Sequence, residues 1–184
     1  VNSDIIRKKR FKIVVDGINS SGGIIIPKLL KALNVEVKKI NCIPDGNFAH
    51  DPEPLDKNLY QLKEEVLKSN SDLGIAVDPD VDRLVFVSEN GETISEENTL
   101  ISCADYILSK EKGSAVSNLS SSMGLRDVCK MYGVEYFSSM VGEINVVEKM
   151  KSVNAIIGGE GNGGIIYPES HYGRDALVGI GLLL

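Results

Sequence analysis

The sequence predicts two tandem α/β domains, each a mixed sheet with flanking helices, on three observations. Apolar, β-branched runs alternate with helically spaced segments along the whole chain. The turn former Glu89-Asn90-Gly91-Glu92 closes a first series of elements as a hairpin near the middle of the sequence. A second, shorter series then repeats the pattern, which places the boundary near Thr93, with residues 1–93 in one domain and 94–184 in the other. A length of 184 residues suits one large domain or two small ones.

In the first series, residues 11–15 read as a strand, 16–23 as a turn-forming, glycine-rich loop, and 24–33 as a helix that tolerates Pro27 in its first turn. Residues 35–40 form the next strand. This strand, helix, strand unit puts the glycine-rich loop at the carboxyl end of the first strand, the edge at which open sheets bind ligands. A polar, proline-bearing segment over 41–54 leads to an amphipathic helix over about 55–68, followed by strands at 73–77 and 84–88. The second series has helices near 96–108, 123–132 and 144–151, with strands near 114–118, 134–137 and 155–157. A glycine cluster and a terminal helix follow. That last apolar run ends without a polar turn or cap, so the chain is expected to be an excised piece of a longer protein, an expectation that a reading frame ending at Leu184 would refute.

Composition excludes several classes. Lys+Arg 20 against Asp+Glu 26 gives a net charge of −6, the wrong balance for a general nucleic-acid binder. The one basic run, Arg7-Lys8-Lys9-Arg10, reads as a solvated helix end. No apolar stretch approaches the roughly 20 residues that span a bilayer, and the start of the chain is too polar for a signal peptide. Cys42, Cys103 and Cys129 are odd in number and lack CxxC spacing, which indicates neither zinc nor a disulfide framework but a reducing, cytoplasmic setting. The loop at 17–23 matches neither dinucleotide nor phosphate-loop patterns, and His50 and His171, the only histidines, lie near no nucleophile elbow.

Two loops carry candidate chemistry. Asp78-Pro79-Asp80-Val81-Asp82-Arg83 puts three carboxylates at alternate positions of a short inter-strand loop, a crowding that calls for a hard divalent cation. Counted from Asp78, the loop mimics an EF-hand until position six, where Arg83 stands in place of glycine, and its flanks read as strands. Three protein ligands suit magnesium, and Arg83 would face a phosphate or sugar oxygen. In the second loop, Gly158-Gly159-Glu160-Gly161-Asn162-Gly163-Gly164, five glycines bring the backbone close to a ligand while Glu160 and Asn162 offer partners to vicinal hydroxyls. The plainer reading of this stretch is a hairpin with two solvated polar residues. Downstream, His171 and Arg174 are candidate ligand contacts, and Arg174 with Asp175 also reads as a local pair at the start of the last helix.

Four stretches together resemble the α-D-phosphohexomutase family, which includes phosphoglucomutase, phosphomannomutase and phosphoglucosamine mutase: VDGINSSGG at 15–23, PDGNFAHDPEP at 44–54, DPDVDR at 78–83 and GGEGNGGIIYPESHYGRD at 158–175. The resemblance spans nearly the whole chain and matches the second and third of the family's four domains, which surround one active-site cleft. It implies that Asp78, Asp80 and Asp82 bind Mg2+, that Arg83 contacts a hexose phosphate substrate, and that Glu160 and Asn162 are the polar pair of a sugar-recognition loop. It implies a reaction that moves a phosphoryl group between the C1 and C6 oxygens of a hexose through a bisphosphorylated sugar, with a phosphoserine of the first domain as donor and acceptor. No TASHNP-like phosphoserine segment is present, since Ser120-Ser121-Ser122 reads as a helix start, and no RxSGTEP-like phosphate loop of the fourth domain is present. The chain alone is therefore expected to be inactive, with the first and fourth domains of its parent as partners.

The matched region also departs from the family. Ser138-Ser139-Met140 precede Val141-Gly142 where many relatives carry Lys or Arg, and the recognition loop reads Gly-Glu-Gly-Asn-Gly-Gly in place of the commoner Gly-Glu-x-Ser-Gly-His. Sugar preference among glucose, mannose and glucosamine stays open on these grounds. The alternative to a mutase fragment is a non-catalytic module that binds a sugar phosphate or divalent cation, and a third reading treats both loops as turns.

Overall fold

The computed structural model describes residues 2–184, which divide into two compact units, 2–95 and 96–183. The first opens with α1 (Ser3–Lys9), whose last turn carries Arg7, Lys8 and Lys9 toward solvent. It continues through β1 (Lys12–Asp16), α2 (Gly22–Ala32), β2 (Glu36–Ile40), a 3₁₀ turn at Asp56–Asn58, α3 (Tyr60–Ser69), β3 (Leu73–Val77), β4 (Leu84–Ser88) and β5 (Thr93–Ile94). The expected single helix over 55–68 is thus a 3₁₀ turn and a shorter α-helix. Leu59, at φ −98° and ψ 19°, separates the two.

The five strands lie in the order β2-β1-β3-β4-β5. β1 pairs in parallel with β2 and β3, whereas β3, β4 and β5 run antiparallel in turn. Strand order reverses between β1 and β3, so the loops leaving the carboxyl ends of these two strands flank a topological switch point. Side-chain alternation divides the core between two layers. Val14, Ala76, Val85 and Val87 pack with Leu59, Leu62 and Val66 beneath α3. Ile13, Val15, Ile75, Val77 and Phe86 face the other way, where α2 approaches so closely that a Cβ on Gly22 would lie 2.5 Å from Val77 Cγ2.

The second unit contains α4 (Glu96–Lys110), β6 (Ala115–Asn118), α5 (Gly124–Tyr132), β7 (Tyr136–Ser139), α6 (Glu143–Val153), β8 (Ile157–Glu160), β9 (Gly164–Ile166) and α7 (Ala176–Leu183). Its sheet order is β7-β6-β8-β9, with parallel β6-β7 and β6-β8 pairs and an antiparallel β8-β9 hairpin. This repeats the plan of the first sheet on a smaller scale. Val116 and Ile166 pack with Val146, Met150 and Ala155 beneath α6, while α4 lies against β8 and β9, flanked by α5 and α7.

Two expectations about this unit need correction. The glycine cluster is not all loop, because Gly158, Gly159 and Glu160 belong to β8 and Gly164 begins β9. The serines at 120–122 do not start a helix; they form a turn in which Ser120 and Ser121 donate their hydroxyls to Asn118 Oδ1, and α5 begins at Gly124.

Candidate functional site

The aspartate loop grows out of the β3–β4 reversal. Asp78 is 6% exposed at the end of β3, and its Oδ1 accepts the backbone N–H groups of Asp82 and Arg83, each at 3.0 Å. Those two bonds curl the six-residue return so tightly that Val81 sits at φ +65°. A β-branched residue in the left-handed region is strained, and such strain persists only where surrounding bonds over-determine it. Across the switch point, the hydroxyls of Ser20 and Ser21 in the glycine-rich loop both donate to the Pro79 carbonyl, at 2.8 and 2.7 Å. The loop is pinned from within and from its neighbour.

This pinning brings one ligand oxygen from each of Asp78, Asp80 and Asp82 within 4.8 Å of one another. An all-carboxylate set suits a hard cation such as Mg2+, whose remaining positions take water or phosphate oxygens. Burial, and Asp82's carboxyl beside it, push the Asp78 carboxyl up to about 7. Arg83 lies alongside, its Nε 3.5 Å from Asp78 Oδ2 and an NH1 hydrogen donated to Glu53 Oε1 at 3.1 Å.

The neighbouring segment, 41–54, is fastened to the end of β1. Asp16 is 1% exposed; its Oδ1 accepts the Ile18 N–H, and its Oδ2 faces Asn41 Nδ2 at 3.0 Å and His50 Nε2 at 3.1 Å. Asn19 adds two ties, accepting from Ile43 N and donating to the Asn47 carbonyl. In the sequence this segment is visible only as a pattern, and nothing local gives Asp16, His50 or Glu53 a role. A carboxylate ending an apolar strand beside a glycine is a visible signal, but its partner 34 residues away is not.

In the second unit Glu160 ends β8 and is 4% exposed. Its Oε1 accepts from Asn118 Nδ2 at 2.7 Å and from the Gly142 N–H at 3.1 Å, and its Oε2 takes an NH1 hydrogen of Arg174 at 2.9 Å. Arg174 also meets Glu143, its backbone N–H donating to Oε1 at 3.0 Å and its Nε lying 3.4 Å from Oε2. Glu160 and Arg174, read separately from sequence, therefore form one ionic network with Asn118 and Glu143, buried at Glu160 and open to solvent at Glu143. Asn162 closes the hairpin by accepting the Gly164 N–H. His171 lies outside the network, with Nε2 2.9 Å from Asp175 Oδ2, while Asp175 Oδ1 caps α7 through the N–H groups of Leu177 and Val178.

Glycine is required at Gly159 of this hairpin and is favoured at Gly161. Gly159 has φ +158° and its Cβ position lies 2.0 Å from the Gly164 carbonyl oxygen. At Gly161 a Cβ would stand 2.4 Å from Glu97 Oε1, and Glu97 Oε2 accepts the Ser122 N–H at 2.9 Å. Gly161→Ala is accordingly expected to displace Glu97 and to lower stability by about 1 kcal/mol, the worth of one such hydrogen bond. Chemical denaturation measures that loss, and Glu97→Gln in the same background should add little to it.

Among the described residues, Cys42, Cys103 and Cys129 form no disulfide, and no helix is long and apolar enough to cross a membrane.

The phosphoglucomutase/phosphomannomutase alpha/beta/alpha domain II matches residues 1–91, and domain III of the same family matches residues 95–184. A phosphoglucomutase/phosphomannomutase of Thermococcus kodakarensis is 38% identical over 180 residues, covering 97% of this chain and 40% of that protein. A phosphoglucosamine/phosphogalactosamine mutase of Sulfurisphaera tokodaii is 31% identical over 191 residues, covering 100% of this chain and 41% of its own length. The chain thus spans about 40% of the length of the curated relatives it matches. Among solved structures, a phosphoglucomutase/phosphomannomutase family protein of Burkholderia thailandensis superposes with TM-score 0.86 at 26% identity, over 98% of this chain and 42% of that one. An N-acetylphosphoglucosamine mutase of Aspergillus fumigatus, solved with GlcNAc-6P and magnesium, shares the fold at TM-score 0.63 and 15% identity, over 98% of this chain and 47% of that one.

Proposed function

Since the chain belongs to the phosphoglucomutase/phosphomannomutase family, of which it carries domains II and III, we propose that it supplies the cation loop and the sugar loop of a cytoplasmic phosphohexomutase. Its substrate class is a hexose phosphate, interconverted between the 1- and 6-phosphates with a phosphoserine donor contributed by another domain of the parent. The convergence of Asp78, Asp80 and Asp82 carries this reading. A magnesium ion held there would offset the negative charge of a transferring phosphoryl group.

The chain's own residues then divide the work. Asp80 and Asp82 complete the carboxylate set, while Asp78 both lends an oxygen and shapes the loop through the two N–H groups it accepts. Arg83, always charged, is placed to meet a phosphate oxygen as a fork of N–H donors. In the other unit Glu160 works with Arg174 and Asn118 to set the shape of the recognition hairpin, and Asn162 at its tip is the group positioned to meet sugar hydroxyls.

An amide-resolved NMR titration of the chain with MgCl2, then with glucosamine 6-phosphate, tests the reading. Magnesium should shift the amides of 78–83 and leave Asp80→Asn silent, and the sugar phosphate should then shift those of 158–164. A wild-type chain that shows no magnesium response distinguishable from the Asp80→Asn variant would sink the cation assignment.

A further inference from the structure

The Asp16–His50 contact lies apart from the carboxylate cluster, yet an unbroken set of short contacts leads from it to Arg83. His50 Nε2 meets Asp16 Oδ2 at 3.1 Å and Nδ1 meets the Asp51 carbonyl at 2.8 Å. The Asp51 carboxylate accepts the Glu53 N–H at 3.2 Å, and the Glu53 carboxylate accepts from Arg83 NH1 at 3.1 Å. Asn58 Nδ2 donates to the Glu53 carbonyl at 2.8 Å and fixes the same residue from the other side. Every link lies within the first unit.

The ring itself reports its charge. Both nitrogens of His50 face acceptor oxygens, a carboxylate at one and a carbonyl at the other, so both contacts are hydrogen bonds only when both nitrogens carry a proton. The charged groups that act on the ring are Asp16 on β1 and Asp51 on its own loop. The Asp16 hydrogen bond, helped by the Asp51 carbonyl, raises the imidazole above its usual range against the opposing effect of partial burial.

We propose that His50 is a positioning residue for Arg83: as an imidazolium held between the Asp16 carboxylate and the Asp51 carbonyl, it fixes the loop from which Glu53 reaches the guanidinium. The sequence motif at 44–54 thereby gains a mechanical task. It sets the place of an arginine 33 residues further along than His50 by bracing it from outside the carboxylate cluster. Losing a proton would leave one ring nitrogen facing an acceptor with nothing to donate, which releases one of the two links. That Arg83 serves a phosphate rests on the function proposed above; the brace itself does not.

The test uses the 184-residue chain and reads Arg83 directly, through its side-chain Nε–H signal and the exchange rate of the Glu53 amide. At neutral pH the wild type should show His50 with both ring nitrogens protonated. Glu53→Ala cuts the last link at an exposed residue and leaves the fold intact, and it should shift the Arg83 signal. His50→Gln, which has a single amide to donate, should shift that signal in the same direction and speed Glu53 amide exchange by about tenfold, the factor for about 1.4 kcal/mol. Amides of β1 and β3 should keep their protection in both variants. Raising the pH through the His50 transition should reproduce the His50→Gln spectrum at Arg83 in the wild type and change nothing in the variant. An Arg83 signal indifferent to both substitutions overturns the proposal, as does a neutral His50 at pH 7. With magnesium present, glucosamine 6-phosphate affinity should fall by about tenfold in both variants, for the loss of one positioned charge-assisted contact. If the wild type binds no sugar phosphate while Arg83 still follows His50, the assignment of Arg83 to a phosphate fails and the brace stands.

Discussion

Asp80→Asn is expected to weaken magnesium binding by about a hundredfold or more, because it removes one of three anionic ligands around a divalent ion. It should leave stability without magnesium unchanged or slightly improved. Asp80 is the exposed member of the set, and its charge is one of those that raise the Asp78 carboxyl. Asp78→Asn should lose affinity but little stability, since its amide oxygen can still accept the Asp82 and Arg83 N–H groups, whereas Asp78→Ala removes that acceptor and should lose both. Calorimetry over a pH series adds a second check. With its carboxyl at about 7, Asp78 holds a proton more tightly folded than unfolded. Its contribution to stability is therefore complete below about pH 4, the ordinary carboxyl range, and is lost as the pH rises through about 7. A cation competes with that proton, so magnesium affinity should climb between about pH 5.5 and 7.5 and then level off. An affinity flat across that interval, or an Asp80→Asn variant that binds magnesium like the wild type, would show that the carboxylates do not act together.

Arg174→Met should lower stability by about 3 kcal/mol, the usual consequence of removing one partner from a buried ion pair. The cost arises because Glu160 stays buried with its charge, retaining Asn118 and the Gly142 N–H but losing its cation. Glu143 loses the Nε of the same guanidinium. Adding Glu160→Gln to Arg174→Met should restore a good part of the loss, since the uncompensated charge is then gone. Urea unfolding of the two single variants and the double variant measures this directly. Equal and additive losses would mean that the two residues act independently and that the network has no ionic character.

Much of this architecture is legible in the residues. The strands at 73–77 and 84–88 coincide with their apolar runs because both are central, buried on two faces, and bounded by polar turns. The aspartate loop is legible for the same reason: strands that end cleanly leave the three aspartates nowhere to be but in the return. The second unit is harder. Gly158 and Gly159 read as loop formers, yet they pair with β6 and β9 as strand residues. Packing demands glycine there, since a Cβ on Gly158 would come within 2.5 Å of Met150 Sδ. Propensity yields to the approach of α6. Glu160 reads as a partner for sugar hydroxyls or, more plainly, as a solvated hairpin residue, and only the fold reveals that β8 carries it into a buried network. The Asp16–His50 and Glu53–Arg83 contacts join residues 34 and 30 apart in sequence, and no local pattern encodes such pairings.

The two sheets share one plan: a central parallel strand that ends in a polar residue, a parallel neighbour on each side, and an antiparallel return after the third strand. Asp16 ends the central strand in one and Asn118 in the other, and each fastens the loops around it. The units differ chiefly in the return, six residues with three carboxylates after β3 and three residues with two glycines after β8. The two strand orders thus place different chemistry on one and the same kind of return. Changing what such a return binds therefore requires changing only a few exposed side chains, while the buried layers that hold each sheet together can stay as they are.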